Sequence, residues 1–285
     1  MTKDRLLSYV LYCLWFLFIG VLSAQSMAKS PLIDPHAVIT AVDCDFMRAN
    51  GVIAANNPIA CERLRTVSFK YLGYDKQEHL GQFVVIDVIA PHVANLMSDL
   101  FHAKFPISKA SLIRNYSGND RASMADNNSS AFNGRAIKGS TRWSMHAYGA
   151  AIDINPLENP FIEISEDGNA IISPASAARY SVNRSTNRPN KRDRRGLVEP
   201  VVDIFAHHGF VIWGGDWDHP IDYQHFQFGP RSYISKISKL DYESGLKLIA
   251  ENIDLYRQCR LSLKNDGLGA RKMCVEKTVA QLQSL

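Results

Sequence analysis

Apolar positions along the chain recur at two spacings, and each spacing predicts a different element. GQFVVID, Gly81 to Asp87, carries a short apolar run behind a glycine and reads as a strand. Just beyond it, Val93, Leu96, Met97, Leu100 and Phe101 fall on one face of a helix that Pro91 helps to start. SLIRNYS, Ser111 to Ser117, is expected to form a second strand. Ala151 to Ile154 is expected to form a third, with Ile152 and Ile154 facing one side and Asp153 pointing away from the core. Pro200 opens a short helix through Phe205 that Gly209 would cap. FVIWGG, Phe210 to Gly215, then leads on to HFQF, where His225 and Gln227 share one face and Phe226 and Phe228 the other. After Lys239 the spacing turns helical again, through Leu248, Ile249, Asn252, Ile253 and Tyr256, with a break expected at Asp266–Gly267 and a second helix to the end. Twice in this pattern a residue able to bind a metal, Asp153 or His225, lies opposite apolar neighbours.

The stretch from Ser165 to Arg195 has neither period. It is polar, turn-rich and basic toward its end (RSTNRPNKRDRR), and reads as a surface insertion: either a solvated loop or a positively charged rim for an acidic substrate. The first residues differ in another way. Lys3 and Arg5 precede an apolar run from Leu6 to Leu22, followed by small residues including Ser26 and Ala28, which predicts a cleaved signal peptide over residues 1–28. An uncleaved anchor is the alternative, because the run is close to the ~20 residues that span a bilayer. Either way the chain is expected to be exported, periplasmic or secreted, and free of the membrane once the segment is removed. Cys13, inside the run, lacks the small residues that precede a lipidated cysteine.

Four cysteines remain after that segment, an even number suited to an oxidising compartment. Of three possible connectivities, closeness in sequence favours Cys44 with Cys61 and Cys259 with Cys274, each closing a loop worth about 3 kcal/mol in the chain-entropy model. Neither pair has the CxxC spacing of a zinc site. The 285 residues can bury a full core, and a net charge of +4 is too weak to argue for nucleic acid.

Candidate chemistry centres on SMHAYGAAIDINP, Ser144 to Pro156, where His146 and Asp153 flank a glycine turn. A catalytic zinc takes three protein ligands, with nitrogen and oxygen donors a usual set, and leaves one position open. His146 and Asp153 supply two ligands, and DYQHFQF offers His225 as the third, with Asp222 three residues earlier as a carboxylate beside the metal. His36, His79, His92, His102, His207, His208 and His219 read as surface or core residues, with only His219 in WDHP close to the site in sequence.

SMHAYGAAID fits S-x-H-x-x-G-x-A-x-D and DYQH fits D/E-x-x-H, so the chain resembles the M15 zinc peptidases, the D-Ala-D-Ala carboxypeptidase and L-Ala-D-Glu peptidase group that cuts cell-wall peptides. The resemblance also takes in GQFVVID, FPI at Phe105 to Ile107, SMADNNSSAFNGR (Ser123 to Arg135) and WGGDW (Trp213 to Trp217), and runs from about Val67 to Gly229. It implies one Zn2+ per chain held by His146, Asp153 and His225, with Asp222 as general base and acid. Arg135 matches the arginine that steadies the oxyanion. Ser144 lines the pocket or caps its turn, and Trp213 and Trp217 wall the cleft or belong to the core. The implied fold is α+β, a small antiparallel sheet with helices packed on one side, as in the signalling domain of hedgehog proteins. In that reading residues 29–66 form an N-terminal segment, 67–232 the peptidase core and 233–285 a C-terminal helical hairpin outside the resemblance. The implied substrate is the peptide stem of peptidoglycan, cut as a D-alanyl-D-alanine carboxypeptidase, with L-alanyl-D-glutamate endopeptidase and a hedgehog-like zinc-binding module as alternatives. Asp222 and Arg135, which a pure binder does not need, favour an enzyme. Asp222 stands where the family often has Glu.

Overall fold

The computed structural model describes residues 36–263 and 267–285. The expected signal segment, residues 1–28, lies outside them. Strand β1 (His36–Val38) leads to helix α1 (Ala41–Ala49), whose first turn is closed by a capping box between Thr40 and Asp43. Strands β2 (Leu64–Leu72) and β3 (Glu78–Ile86) form the longest hairpin, with Leu64 opposite Ile86 and β1 on the outer edge of β2. β2 thus runs across residue 66, and His36–Val38 is part of the same sheet.

Helix α2 (Ala90–His102) follows β3 as expected, with Pro91 in its first turn, and packs against β2. Val93, Leu96, Met97 and Leu100 on its inner face are fully buried. Four consecutive residues of β3, Phe83 to Ile86, are also buried, so the end of the strand is covered on both faces.

The segment Ser111–Ser117 is not a strand. Only Lys109–Ala110 (β4) pairs, in parallel with Asn128–Ser129 (β5), and Ile113–Tyr116 form a 3-10 turn that ends at Ser117 in the left-handed region, φ 51°. Two contacts explain the difference. The Asn128 side chain takes the place of a ladder partner, accepting from Ser111 N–H at 2.7 Å and donating to its carbonyl at 3.0 Å. Leu112 and Ile113 are both buried, which an alternating strand does not allow against a single core face. Between β4 and β5 lies helix α3 (Asp120–Ala125), capped by Asn119.

Strand β6 (Ala151–Asp153) is followed by β7 (Phe161–Ile164) and β8 (Ala170–Ser173), and then by helix α4 (Val202–His207), with Gly209 at φ 88° just past its end. Strands β9 (Ile212–Trp213), β10 (Ile221–Asp222) and β11 (His225–Gln227) complete two three-stranded antiparallel sheets, ordered β6-β11-β9 and β10-β7-β8. The architecture is therefore α+β with several small antiparallel sheets rather than one. The basic stretch is tied down by its own arginines. Arg184 is nearly buried and pairs with Glu199, the carbonyls of Glu158 and Tyr180, and Asn159 Oδ1, while its guanidinium lies 3.9 Å from the centre of the Tyr223 ring. Arg194 donates to the carbonyls of Val182 and Asn183, and Arg195 to that of Tyr74.

Helix α5 (Arg231–Ile237) precedes Lys239, and after Lys239 the described residues form three helices instead of two: α6 (Tyr242–Asn252), α7 (Leu255–Ser262) and α8 (Leu268–Gln283). The spacing that reads as one helix through Tyr256 is interrupted after Asn252, and Asp254 opens α7 so that Tyr256, fully buried, reaches Asp203 on α4 with its hydroxyl. Gly267 stands just before α8, whereas Asp266 lies outside the described residues. Cys259 pairs with Cys274, Cα atoms 5.5 Å apart, joining α7 to α8, and Cys44 pairs with Cys61 at 6.0 Å. Both are the pairings that closeness in sequence favours. No helix among the described residues is long and apolar enough to cross a membrane.

Candidate metal centre

Ser144 opens the site. Its hydroxyl accepts from His146 N–H at 3.3 Å and caps a 3-10 turn, Met145–Tyr148, that carries His146. The turn ends at Gly149, φ 63°, where a Cβ would stand 2.5 Å from Ile86 N. Only glycine meets both demands, and the reversal there sends the chain into β6. In β6 the antiparallel register places Asp153 directly opposite His225 on β11, with Ile152 opposite Phe226. Cross-strand partners project to the same side of a sheet, so this register alone brings a carboxylate and an imidazole together.

His146 arrives from the turn and completes the group. Its Nδ1–H donates to the Ala131 carbonyl at 2.5 Å, which leaves the Nε2 lone pair facing the other two residues. Nε2 lies 3.1 Å from His225 Nδ1 and 3.2 Å from Asp153 Oδ1, and His225 Nδ1 lies 3.2 Å from the same oxygen. Three donors on a tetrahedral zinc with bonds of ~2.0–2.1 Å would be separated by about 3.3 Å, so the triangle already has the size of one face of that polyhedron. Two imidazoles and one carboxylate, all buried, fit zinc in donor type and spacing, and theirs is the one potential metal-binding group of three or more His, Cys, Asp or Glu among the described residues. Asp153 does point away from Ile152 and Ile154, but its face is covered too, and it is buried at 6% exposure.

The charges are arranged around that point. Burial favours the neutral form of Asp153, yet His146 and then His225 outweigh it and hold the carboxyl well below the ordinary range. Burial likewise opposes a charge on His146, but Asp153 outweighs it and leaves the imidazole raised. Asp222 behaves in the opposite way. Its residue is half-buried, its Oδ1 is sealed from solvent without a hydrogen-bond partner, and burial together with the Asp153 charge pushes its pKa up to about 7. His225, the Gln224 amide and His146 pull that value back. Two neighbouring carboxyls with pKa values driven apart are the environment in which one binds a cation and the other exchanges a proton.

The remaining expected residues are placed as follows. Arg135 lies close enough for its charge to act on His146, and donates from Nη2 to Asp120 Oδ2 at 2.6 Å while its Nε–H is buried without a partner. Trp213 belongs to the core: it is buried, stacks on Phe226 with ring centres 6.3 Å apart, and gives its indole N–H to the Tyr223 carbonyl at 2.8 Å. Trp217 is the tryptophan beside the metal group, its ring centre 5.4 Å from that of His225. His219 is exposed. Sequence reasoning missed the Ala131 carbonyl, Asp120 and Gln224. Gln224 could have been found, since it lies between Asp222 and His225, and Ala131 lies in the SMADNNSSAFNGR stretch of the resemblance without any role assigned to it there, whereas nothing in the sequence links Asp120 to the site.

The dual constraint at Gly149 has a testable consequence. Gly149→Ala is expected to lower unfolding free energy in urea by more than the ~1–2 kcal/mol of a left-handed alanine, because the Ile86 backbone must also move. A loss below about 1 kcal/mol would mean that the turn relaxes freely.

Residues 138–228 match the model of an M15 peptidase family described as D-alanyl-D-alanine carboxypeptidase. That segment is roughly a third of the chain and holds Ser144, His146, Asp153, Trp213, Asp222 and His225, while Arg135 falls just before it. The match supports a peptidase. No curated protein and no solved structure gave a match.

Proposed function

We propose that the chain is an exported zinc peptidase that hydrolyses the peptide stems of peptidoglycan, acting first as a D-alanyl-D-alanine carboxypeptidase. The observation that carries this reading is the convergence of His146 Nε2, His225 Nδ1 and Asp153 Oδ1 beside the partnerless Oδ1 of Asp222. Zinc held by the three donors would supply Lewis acidity toward the scissile carbonyl and toward water. The half-buried Asp222 carboxylate takes the proton of the attacking water and returns it to the leaving amide nitrogen, a role that suits a carboxyl poised near neutral pH. Arg135 brings a full positive charge toward the oxygen on which negative charge develops, with Asp120 fixing the guanidinium. Ser144 sets the turn that aims His146, and Trp217 forms one wall.

The polymer and the bond come from the family resemblance and from the export signal read in residues 1–28. An Asp at 222 is what the L-alanyl-D-glutamate cutters of this family tend to carry, which makes the internal bond the second reading. Protein lacking residues 1–28 is expected to hold about one zinc per chain by elemental analysis. With a pentapeptide muropeptide, mass spectrometry should show the loss of a single alanine. Release of the stem beyond its first residue would replace the carboxypeptidase by the endopeptidase. Zinc without any hydrolysis would leave a binding module, and a folded protein that takes up no zinc would end the reading.

A further inference from the structure

The C-terminal helices lie outside the matched residues, yet one of them reaches the site. Arg271, in the first turn of α8, makes a two-pronged pair with Asp216: Nη1 to Oδ1 at 3.0 Å and Nη2 to Oδ2 at 2.6 Å. Asp216 immediately precedes Trp217, whose ring stands against His225. The same guanidinium sits over the Trp213 ring, 5.5 Å from its centre, and Trp213 in turn holds the carbonyl of Tyr223, the neighbour of Asp222. The turn between these tryptophans is tight. Trp217 N–H bonds the Gly214 carbonyl at 3.3 Å, and a Cβ on Gly214 would meet Asp222 O at 2.5 Å.

Arg271 is mostly buried, with a side-chain exposure of 13%. A fork of two parallel bonds fixes the carboxylate in orientation as well as position, which a single lysine contact does not. Cys274, one turn further along α8 and fully buried, is bonded to Cys259 on α7, so the part of α8 that carries Arg271 is covalently held.

We propose that α8 is a positioning element of the metal centre: Arg271, through Asp216, clamps the 214–217 turn so that Trp217 stays against His225 and shields the metal from solvent. The shielding rests on the zinc reading above; the clamp itself does not. Arg271 touches neither donor atoms nor reacting groups and is a positioning residue.

The test compares wild type with Arg271→Gln, Arg271→Lys and Asp216→Asn in the disulfide-intact protein. Hydrogen exchange read by mass spectrometry over residues 214–219 is expected to accelerate about tenfold in Arg271→Gln and in Asp216→Asn, with exchange in the β2–β3 hairpin unchanged. Arg271→Lys should recover part of the protection. Zinc loss to a chelator should quicken by a similar factor in the two pair-breaking variants. Equal exchange over 214–219 in Arg271→Gln and wild type would overturn the clamp. Faster exchange with unchanged zinc release would confirm the clamp and overturn the shielding. A wild type that binds no zinc would remove the metal reading and the shielding, and the clamp would then be decided by exchange alone.

Discussion

Asp222→Asn is expected to retain one zinc per chain and to lose turnover on a muropeptide by ~10²- to 10⁴-fold, the usual contribution of a positioned general base. The substitution keeps the side chain's shape and a hydrogen-bonding atom in place of the partnerless Oδ1, while removing the site that accepts a proton. Asp222 is not one of the three converging donors, so metal content should stay within error of wild type. The loss should fall on kcat. In wild type, kcat/KM should fall as pH drops through the Asp222 pKa, because the base must be ionised. That value is raised to about 7 by burial and by Asp153, and a bound cation would lower it, so the acid limb belongs below pH 7. Full activity in Asp222→Asn would remove the base assignment; loss of zinc would turn Asp222 into a ligand.

The residues proposed for the centre could be picked out in the sequence because each motif is local, and of these His146, Asp153 and His225 do converge. His146 and Asp153 sit on either side of a glycine that the turn demands, and Asp222 and His225 are three residues apart, so type and spacing sufficed without knowledge of the fold. What joins the two motifs was not legible. The register of β6 against β11 pairs Asp153 with His225 across 72 positions of sequence, and period-two alternation says only that each has a polar face. Nor could alternation say that this face is covered, which is why Asp153 reads as outward and is in fact buried. Ser111–Ser117 failed for a related reason: the Asn128 side chain supplies the hydrogen bonds that a strand neighbour would, and no propensity anticipates that. The division of labour between the tryptophans is likewise set by contacts that neither motif pattern shows. Trp213 gives its indole N–H to the Tyr223 carbonyl, and the Trp217 ring lies beside His225. Arg271 and Arg184 act across 55 and 25 positions respectively, with no pattern at either end to announce the contact.

His225→Ala is expected to lose the metal itself, and with it all measurable turnover. Two donors, His146 and Asp153, would remain, and a catalytic zinc site ordinarily needs three. Removing only an outer partner of a ligand costs ~10- to 100-fold in affinity, so deleting a ligand should cost more than that. The substitution also withdraws one of the two groups that hold Asp153 ionised in a buried position, leaving His146 as its remaining charged neighbour. A buried carboxylate that loses one of its two partners is less well compensated, so metal-free His225→Ala should also be less stable than metal-free wild type near neutral pH. As pH falls through the higher pKa that Asp153 has in the variant, that difference should shrink, because the variant's carboxyl then takes up a proton while the wild-type carboxyl, held well below the ordinary range, stays ionised to still lower pH. Elemental analysis, paired with urea unfolding at two pH values, separates the effects. Retention of one tightly held zinc in His225→Ala would mean that the triangle of His146, Asp153 and His225 is not the metal centre.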